Sequence, residues 1–299
     1  LTKKLKTNFM KNVLKLNKFL FLLTFSFFII SCDNDDDDTQ TMPEELTIVE
    51  TAAATPELSI LVEALTVADG DLVTTLSGGN FTVLAPTNDA FAAFLSANGF
   101  ASLDEVPTDV LSNILLNHVI AGSVMSTDLA SVGSGYTTSN ATNMDGDNLS
   151  LYFSTSSGVE FNGQSSVVSA DVSASNGIVH VVDAVIGLPT VVTFATSNPT
   201  FETLVAALTR EDLNQDFVSI LSTTEEPSPF TVFAPTNDAF ASLLSELGVD
   251  SLGDIDAATL ELTLGTHVVV EANVRSGDLT NGMNITTVGD ALTVSLDAG

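Results

Sequence analysis

Between Phe81 and Leu95 the apolar residues change their spacing. Phe81-Thr82-Val83-Leu84 is a short run rich in strand formers. Pro86 ends it, because a proline nitrogen has no hydrogen to give a sheet ladder. Beyond it Phe91, Phe94 and Leu95 recur at intervals of three and four, the spacing of a helix with one buried face. Thr87 or Asn88 stands where a helix cap belongs. Asp89 falls in the first turn, beside the positive end of the helix dipole, and Gly99 is the expected stop. The predicted element is a strand-to-helix corner.

The chain writes this corner twice. FTVLAPTNDAF runs from Phe81 to Phe91 and FTVFAPTNDAF from Phe230 to Phe240, 149 positions later, with only Leu84 and Phe233 differing. The second copy repeats the helical spacing at Phe240, Leu243, Leu244 and Leu247, with Gly248 as its stop. The match continues without a gap through Leu115-Leu116-Asn117-His118-Val119-Ile120 and Leu264-Gly265-Thr266-His267-Val268-Val269. Upstream of each copy, Leu58 to Leu65 and Phe201 to Leu208 carry helical spacing. After the first copy, turn signals at Asp145-Gly146-Asp147-Asn148, Asn162-Gly163 and Asn176-Gly177 separate short strands. The last of these joins VVSADVSAS to IVHVVDAVIGLP, a strong hairpin signal. A catalytic loop rarely needs a copy, whereas a folded module used in series does.

FTVLAPTNDAF, LLNHVIAG and SNGIVHVVDAVIGLP, in that order, resemble the three signature segments of fasciclin-like domains. The resemblance covers residues 46–189 in full and residues 196–299 in the first two segments. It implies an α+β module, a twisted β-wedge or sandwich with helices packed around one side, present in two copies. The family often carries Tyr before the central His, a pair associated with adhesion. Asn117 and Thr266 stand there in this chain, so no receptor contact carries over to that position. Gly289-Asp290-Ala291-Leu292 corresponds to Gly146-Asp147-Asn148-Leu149, and the sequence ends at Gly299. The second module is therefore expected to lack its closing strands, either because the sequence is a fragment, the preferred reading, or because its end is genuinely truncated. A half-finished sheet exposes an edge that invites pairing with another chain.

Charge changes the picture at the amino end. Six of the eight Lys and Arg residues precede residue 20, and all 38 Asp and Glu residues lie at or after Asp33. Beyond Cys32 only Arg210 and Arg275 oppose those acids. Such a body repels phosphate backbones, so nucleic acid is excluded as a partner. Thirteen uncharged residues, Phe19 to Ser31, are too few to span a bilayer as a helix and suit the core of a signal peptide. Ile29-Ile30-Ser31-Cys32 resembles the bacterial lipobox, which implies a signal over residues 1–31 and acylation of Cys32, the sole cysteine. Met10 opens a more usual signal than Leu1 does. Asp33-Asn34-Asp35-Asp36-Asp37-Asp38 begins an acidic, flexible tether over 32–45 and resembles the export tag of Bacteroidetes surface lipoproteins. The expected location is the outer membrane, lipid-anchored, at the cell surface.

Candidate chemistry is sparse. A nucleophilic triad needs Ser or Cys beside a His that an acid orients. His118, His180 and His267 all sit in apolar runs and read as structural. Asp69-Gly70-Asp71, Asp145-Gly146-Asp147 and Asp212-Leu213-Asn214-Gln215-Asp216 place carboxylates close together, yet Phe217 stands where a calcium loop needs glycine. These read as turns or helix surface. No catalytic residue, cofactor or metal is assigned, and Cys32 is the one site residue. The expectation is a non-enzymatic, surface-anchored lipoprotein that adheres to an extracellular protein or polysaccharide. The alternative is an enzyme, or an accessory component of extracellular polysaccharide degradation, using His118 or His180 with nearby acids. A calcium-stabilised stalk is a third reading.

Overall fold

A computed structural model describes residues 45–296. The expected signal over 1–31, the lipidation site Cys32 and nearly all of the acidic tether lie outside the described residues.

The first module opens with three helices, α1 (Ile48–Ala54), α2 (Ser59–Val67) and α3 (Leu72–Gly78). Their starts are written in the sequence. Thr47 and Glu50 form a reciprocal capping box on α1, and the Asp71 carboxylate accepts from the Thr74 amide to cap α3. The corner follows as β1 (Phe81–Pro86) and α4 (Asn88–Ala97). Then come α5 (Thr108–Asn117), β2 (Val119–Ala121), α6 (Ser126–Val132), β3 (Ser134–Thr142), β4 (Asn148–Ser154), β5 (Glu160–Phe161), β6 (Ser165–Ala174) and β7 (Gly177–Val182).

The seven strands pair in chain order and close into a barrel, because β7 returns to lie parallel to β1. The α+β class and the packed helices are as expected, and the parallel pairing closes the wedge. The two faces of β1 serve two cores. Val83 and Ala85 join Val179 and Val181 of β7 against α1–α5. Leu84, between them, packs with Ile120, Leu151, Phe161, Val182 and Ile186 on the opposite face. With both faces covered, all six residues of β7 are buried.

One turn and one strand differ in detail from the reading. The hairpin between β6 and β7 turns on Ser175 and Asn176, since Ala174 already pairs with Gly177. Gly177 belongs to the strand, where its φ of +146° and the close approach of the Phe81 carbonyl leave no room for a Cβ. Strand β6 is also broken by register shifts near Ser169 and Val172, and Asp171 takes a left-handed φ of +60° within that irregular stretch.

The second module repeats the order of the first. Helices α7 (Val191–Ser197), α8 (Glu202–Leu208) and α9 (Phe217–Ser222) precede β8 (Thr231–Val232), α10 (Asn237–Leu247), α11 (Ala257–Thr266) and β9 (Val268–Val269). The short pair β10 (Asn284–Ile285) and β11 (Leu292–Thr293) follows. Thr190 caps α7 as Thr47 caps α1, and Asp216 caps α9 as Asp71 caps α3. Among the described residues β8 pairs with β9 alone, with no counterpart of β7 at its other edge.

The modules touch along a seam. Tyr136 on β3, which stacks edge-on with its strand partner Tyr152 of β4 at a centroid distance of 5.2 Å, meets Phe194 of α7 edge-on across the seam at 5.7 Å. Its hydroxyl accepts from Asn198 at 3.2 Å. Arg275 pairs with Asp147, and Asn273 donates to Asp145 at 3.3 Å.

Candidate functional site

The repeated corner is one structure in both copies. Thr87 and Thr236 take the same extended backbone, and their hydroxyls accept from the Ala90 and Ala239 amides at 3.2 and 3.3 Å. Thr, not Asn, is therefore the cap. The asparagine after it has a different task. The Asn88 side-chain oxygen accepts from the Ile60 amide at 2.9 Å, while its nitrogen donates to the Pro56 carbonyl at 3.0 Å. Asn237 does the same to Thr203 and Pro199, at 2.9 Å in both bonds. Asn88 ties its corner to the start of α2 and Asn237 ties its own to the start of α8, a role that local spacing did not disclose. Thr82 and Thr231 are matched too. Each hydroxyl donates to a loop carbonyl (Gly122, Ala272) and accepts from an amide (Val124, Val274).

His118 ends α5 and is 1 % exposed. Its Nε2 faces the Ile186 N–H at 2.9 Å and must accept, so Nδ1 carries the proton and donates to the Ile114 carbonyl at 2.8 Å. Burial holds its pKa down at about 4 against the ordinary 6.5, only partly opposed by the Ile114 bond. Both ring nitrogens are spent within the protein. Asn117 beside it is fully buried; it donates to the Gly187 carbonyl at 3.0 Å and accepts from Ser139 at 2.9 Å. Together His118 and Asn117 tie the end of α5 to the segment after β7. His267 repeats the first half of this arrangement, with Nδ1 at 2.8 Å from the Thr263 carbonyl.

Ser126, Asp171 and His180 stand together, which sequence distance concealed, yet they are not wired for nucleophilic attack. The Ser126 hydroxyl donates to the Asp171 carboxylate at 2.5 Å and its amide does so at 2.7 Å. These two bonds hold the Asp171 carboxyl below the usual range, with a smaller contribution from His180. The His180 Nδ1 accepts from the Asp171 backbone N–H at 3.1 Å, so Nε2 carries the proton and donates to the Val124 carbonyl at 2.9 Å. No lone pair of the imidazole points at the serine. The cluster pins the left-handed Asp171 and the loop before α6 to β7.

The acidic motifs resolve into local structure. Asp69 accepts from Thr108 at 2.7 Å, and Asp71 and Asp216 cap helices. Phe217, at the place of the calcium-loop glycine, is buried in the second core. Among the described residues no three His, Cys, Asp or Glu side chains converge as a metal site. Both arginines are engaged. Arg210 grips Asp212 and the Leu252 and Ile255 carbonyls, and Arg275 pairs with Asp147 across the seam. Among the described residues no helix is long and apolar enough to cross a membrane.

Residues 56–189 and 199–299 match the Fasciclin domain family. Protein sll1483 of Synechocystis sp. is 42 % identical over 142 residues, 47 % of this chain and 73 % of that protein. The cell surface glycolipoprotein MPB83 of Mycobacterium bovis is 48 % identical over 80 residues, 25 % of this chain and 34 % of its own length. A solved FAS1 domain pair from the insect cell adhesion molecule Fasciclin I aligns with a TM-score of 0.46 and 18 % identity, over 81 % of this chain and 85 % of the other. The chain belongs to the fasciclin domain family and carries the domain in tandem.

Proposed function

We propose that this chain is a lipid-anchored surface protein that uses its two fasciclin domains, without catalysis, to adhere to an extracellular protein or polysaccharide. The observation that carries this reading is the duplicated corner. Thr87, Asn88, Thr236 and Asn237 spend their polar groups on the fold, and so do both ring nitrogens of His118 and of His180. What is repeated is a shape, and two weak surfaces in series gain avidity when each engages its own partner. Family membership and a relative named as a cell surface glycolipoprotein support the extracellular setting. Acyl chains on Cys32, each buried CH₂ contributing about 0.8 kcal/mol, would hold the protein on the outer membrane, with residues 33–45 as the spacer.

Two measurements test this. Protease shaving of intact cells should release the native protein from the cell surface, while a Cys32→Ala variant should no longer partition with membranes. Native protein protected from protease contradicts display, and a variant that still partitions with membranes contradicts the anchor. Purified protein should also bind immobilised matrix or polysaccharide more tightly than a single-domain version. Equal binding removes the avidity argument.

A further inference from the structure

An open groove of about 620 Å³ lies on the first module between α5, the loop before α3 and the turn from β3 to β4. Its floor is the α5 face of Asp109, Ser112, Asn113 and Leu116, gathered by helical spacings of three and four. Both walls are tied to this floor. On one side the Asp69 carboxylate accepts from the Thr108 hydroxyl at 2.7 Å, and the Asp69 carbonyl accepts from Ser112 at 3.0 Å. On the other, the Asn113 side chain exchanges bonds of 2.9 and 3.0 Å with the Thr142 backbone. The turn beyond is held too, because the Asn143 side-chain oxygen accepts from the Asp145 and Asp147 amides. A groove formed in advance lowers the ordering cost of binding.

Two kinds of surface meet there. Leu116 is half-buried, and Met144 at the turn is 82 % exposed, the most exposed large apolar side chain among the described residues. A fixed turn that holds a methionine in water suits a contact surface better than an isolated one. Asp69 and Asp109 bring carboxylates to the same groove, and no Lys, Arg or His lines it. The two arginines of the described residues are engaged elsewhere, with Asp212 and Asp147, so the field around the groove is negative. The helix face recurs 149 positions on as Ala258, Glu261, Leu262 and Gly265, which line a groove with Asn214. There Glu261 accepts from the Asn214 amide and side chain at 3.0 and 3.1 Å, which leaves the first groove the more acidic.

We propose that the first-module groove is a docking surface for an arginine-bearing apolar segment of an extracellular protein, an inference that rests on the adhesive reading and names its partner's chemistry. The aliphatic stem of the arginine lies over Leu116 and Met144, and its guanidinium meets Asp69 and Asp109. A neighbouring apolar residue of the segment covers the rest of Met144. Arginine fits better than lysine, because its planar, weakly hydrated head lies on apolar surface and still gives two N–H groups to a carboxylate. An acidic or phosphorylated segment is repelled by the same carboxylates.

The test uses the full chain and a fluorescein-labelled Leu-Arg-Leu-Leu-Arg-Leu peptide. Saturable one-to-one binding is expected, weaker as salt is raised. A peptide with both arginines replaced by glutamine should not saturate. The double variant Asp109→Asn, Met144→Ser should bind at least about tenfold more weakly and keep its native circular dichroism, because both side chains are exposed. Glu246→Gln, which removes one charge from the exposed face of α10, should leave binding unchanged. The proposal is overturned by absence of saturable binding, by equal binding of the glutamine peptide, by unaltered binding of the double variant, or by an equal loss in Glu246→Gln, which makes the attraction diffuse. Soluble chitosan that displaces the peptide and binds more tightly assigns the groove to an amino polysaccharide and overturns it as well. Native protein that binds immobilised matrix but not the peptide removes the groove assignment and leaves adhesion standing. Peptide binding without matrix binding does the reverse.

Discussion

Asn237 reproduces the bonds of Asn88, accepting from the amide of Thr203 where Asn88 accepts from Ile60 and donating to the carbonyl of Pro199 where Asn88 donates to Pro56. Two side chains 149 residues apart thus close the same joint between a corner and the second helix of its module, α2 or α8. Asn88→Ala and Asn237→Ala each remove two such bonds and leave a backbone amide short of its partner. A loss of about 1–3 kcal/mol is expected for each in urea unfolding. Each variant should act on its own module, which hydrogen exchange at Ile60 and Thr203 resolves.

Gly177 admits no larger residue. A Cβ there would stand 1.9 Å from the Phe81 carbonyl oxygen and 3.0 Å from Cδ1 of Ile48, on a backbone with φ of +146°. Gly177→Ala must push β7 away from β1 and open the barrel at its parallel seam. The expected cost exceeds about 3 kcal/mol. Gly146→Ala, at a turn with open space but a left-handed φ of +84°, should cost distinctly less. Comparable unfolding midpoints for the two variants would contradict this account.

Acid should weaken the first module before its carboxylates titrate. His118 is neutral in the fold, with its pKa held at about 4 by burial, and takes up a proton near 6.5 when unfolded. As pH falls below 6.5 the unfolded state gains a proton that the folded state refuses, so stability declines until about pH 4. The span amounts to roughly 3 kcal/mol. Asp171, whose pKa is lowered by its bonds from Ser126, adds a loss of the same sign at still lower pH, and Asp212, Asp216 and Asp256 do the same for the second module. Urea unfolding of the native protein and a His118→Gln variant between pH 7 and 4.5 checks the assignment, because the variant should lose most of the slope.

The seam between the modules divides into a strong and a weak part. Arg275 and Asp147 are both partly exposed, so Arg275→Ala should cost less than about 1 kcal/mol, and less again in high salt. Tyr136 makes an edge-on aromatic contact with Phe194 across the seam and accepts a hydrogen bond from Asn198. Tyr136→Ala should cost more than the arginine change and resist salt. Urea titrations at low and high ionic strength separate the two.

Periodicity and punctuation made much of the fold legible. The strand-to-helix corners, the helices from Leu58 and Phe201 and the turns after the first copy all rest on short-range chemistry, in which cap, spacing and turn residue lie within a few positions. The identity of the two corners exposed the duplication, and their cap residues were narrowed to neighbours. Thr87 outcompeted Asn88 for the cap because Asn88 is held by Pro56 and Ile60, about thirty residues away.

Long-range pairing settled what local pattern left open. Nothing near residue 177 announces that β7 will run parallel to β1, and that single pairing closes the barrel, excludes a side chain from Gly177 and buries both faces of the strand. The wiring of His118 to Ile186, and of Ser126 and His180 to Asp171, likewise joins segments 68, 45 and 9 residues apart. Composition and spacing select the elements because those preferences are local. Which edge is covered and which imidazole nitrogen is spent depend on where distant backbone arrives.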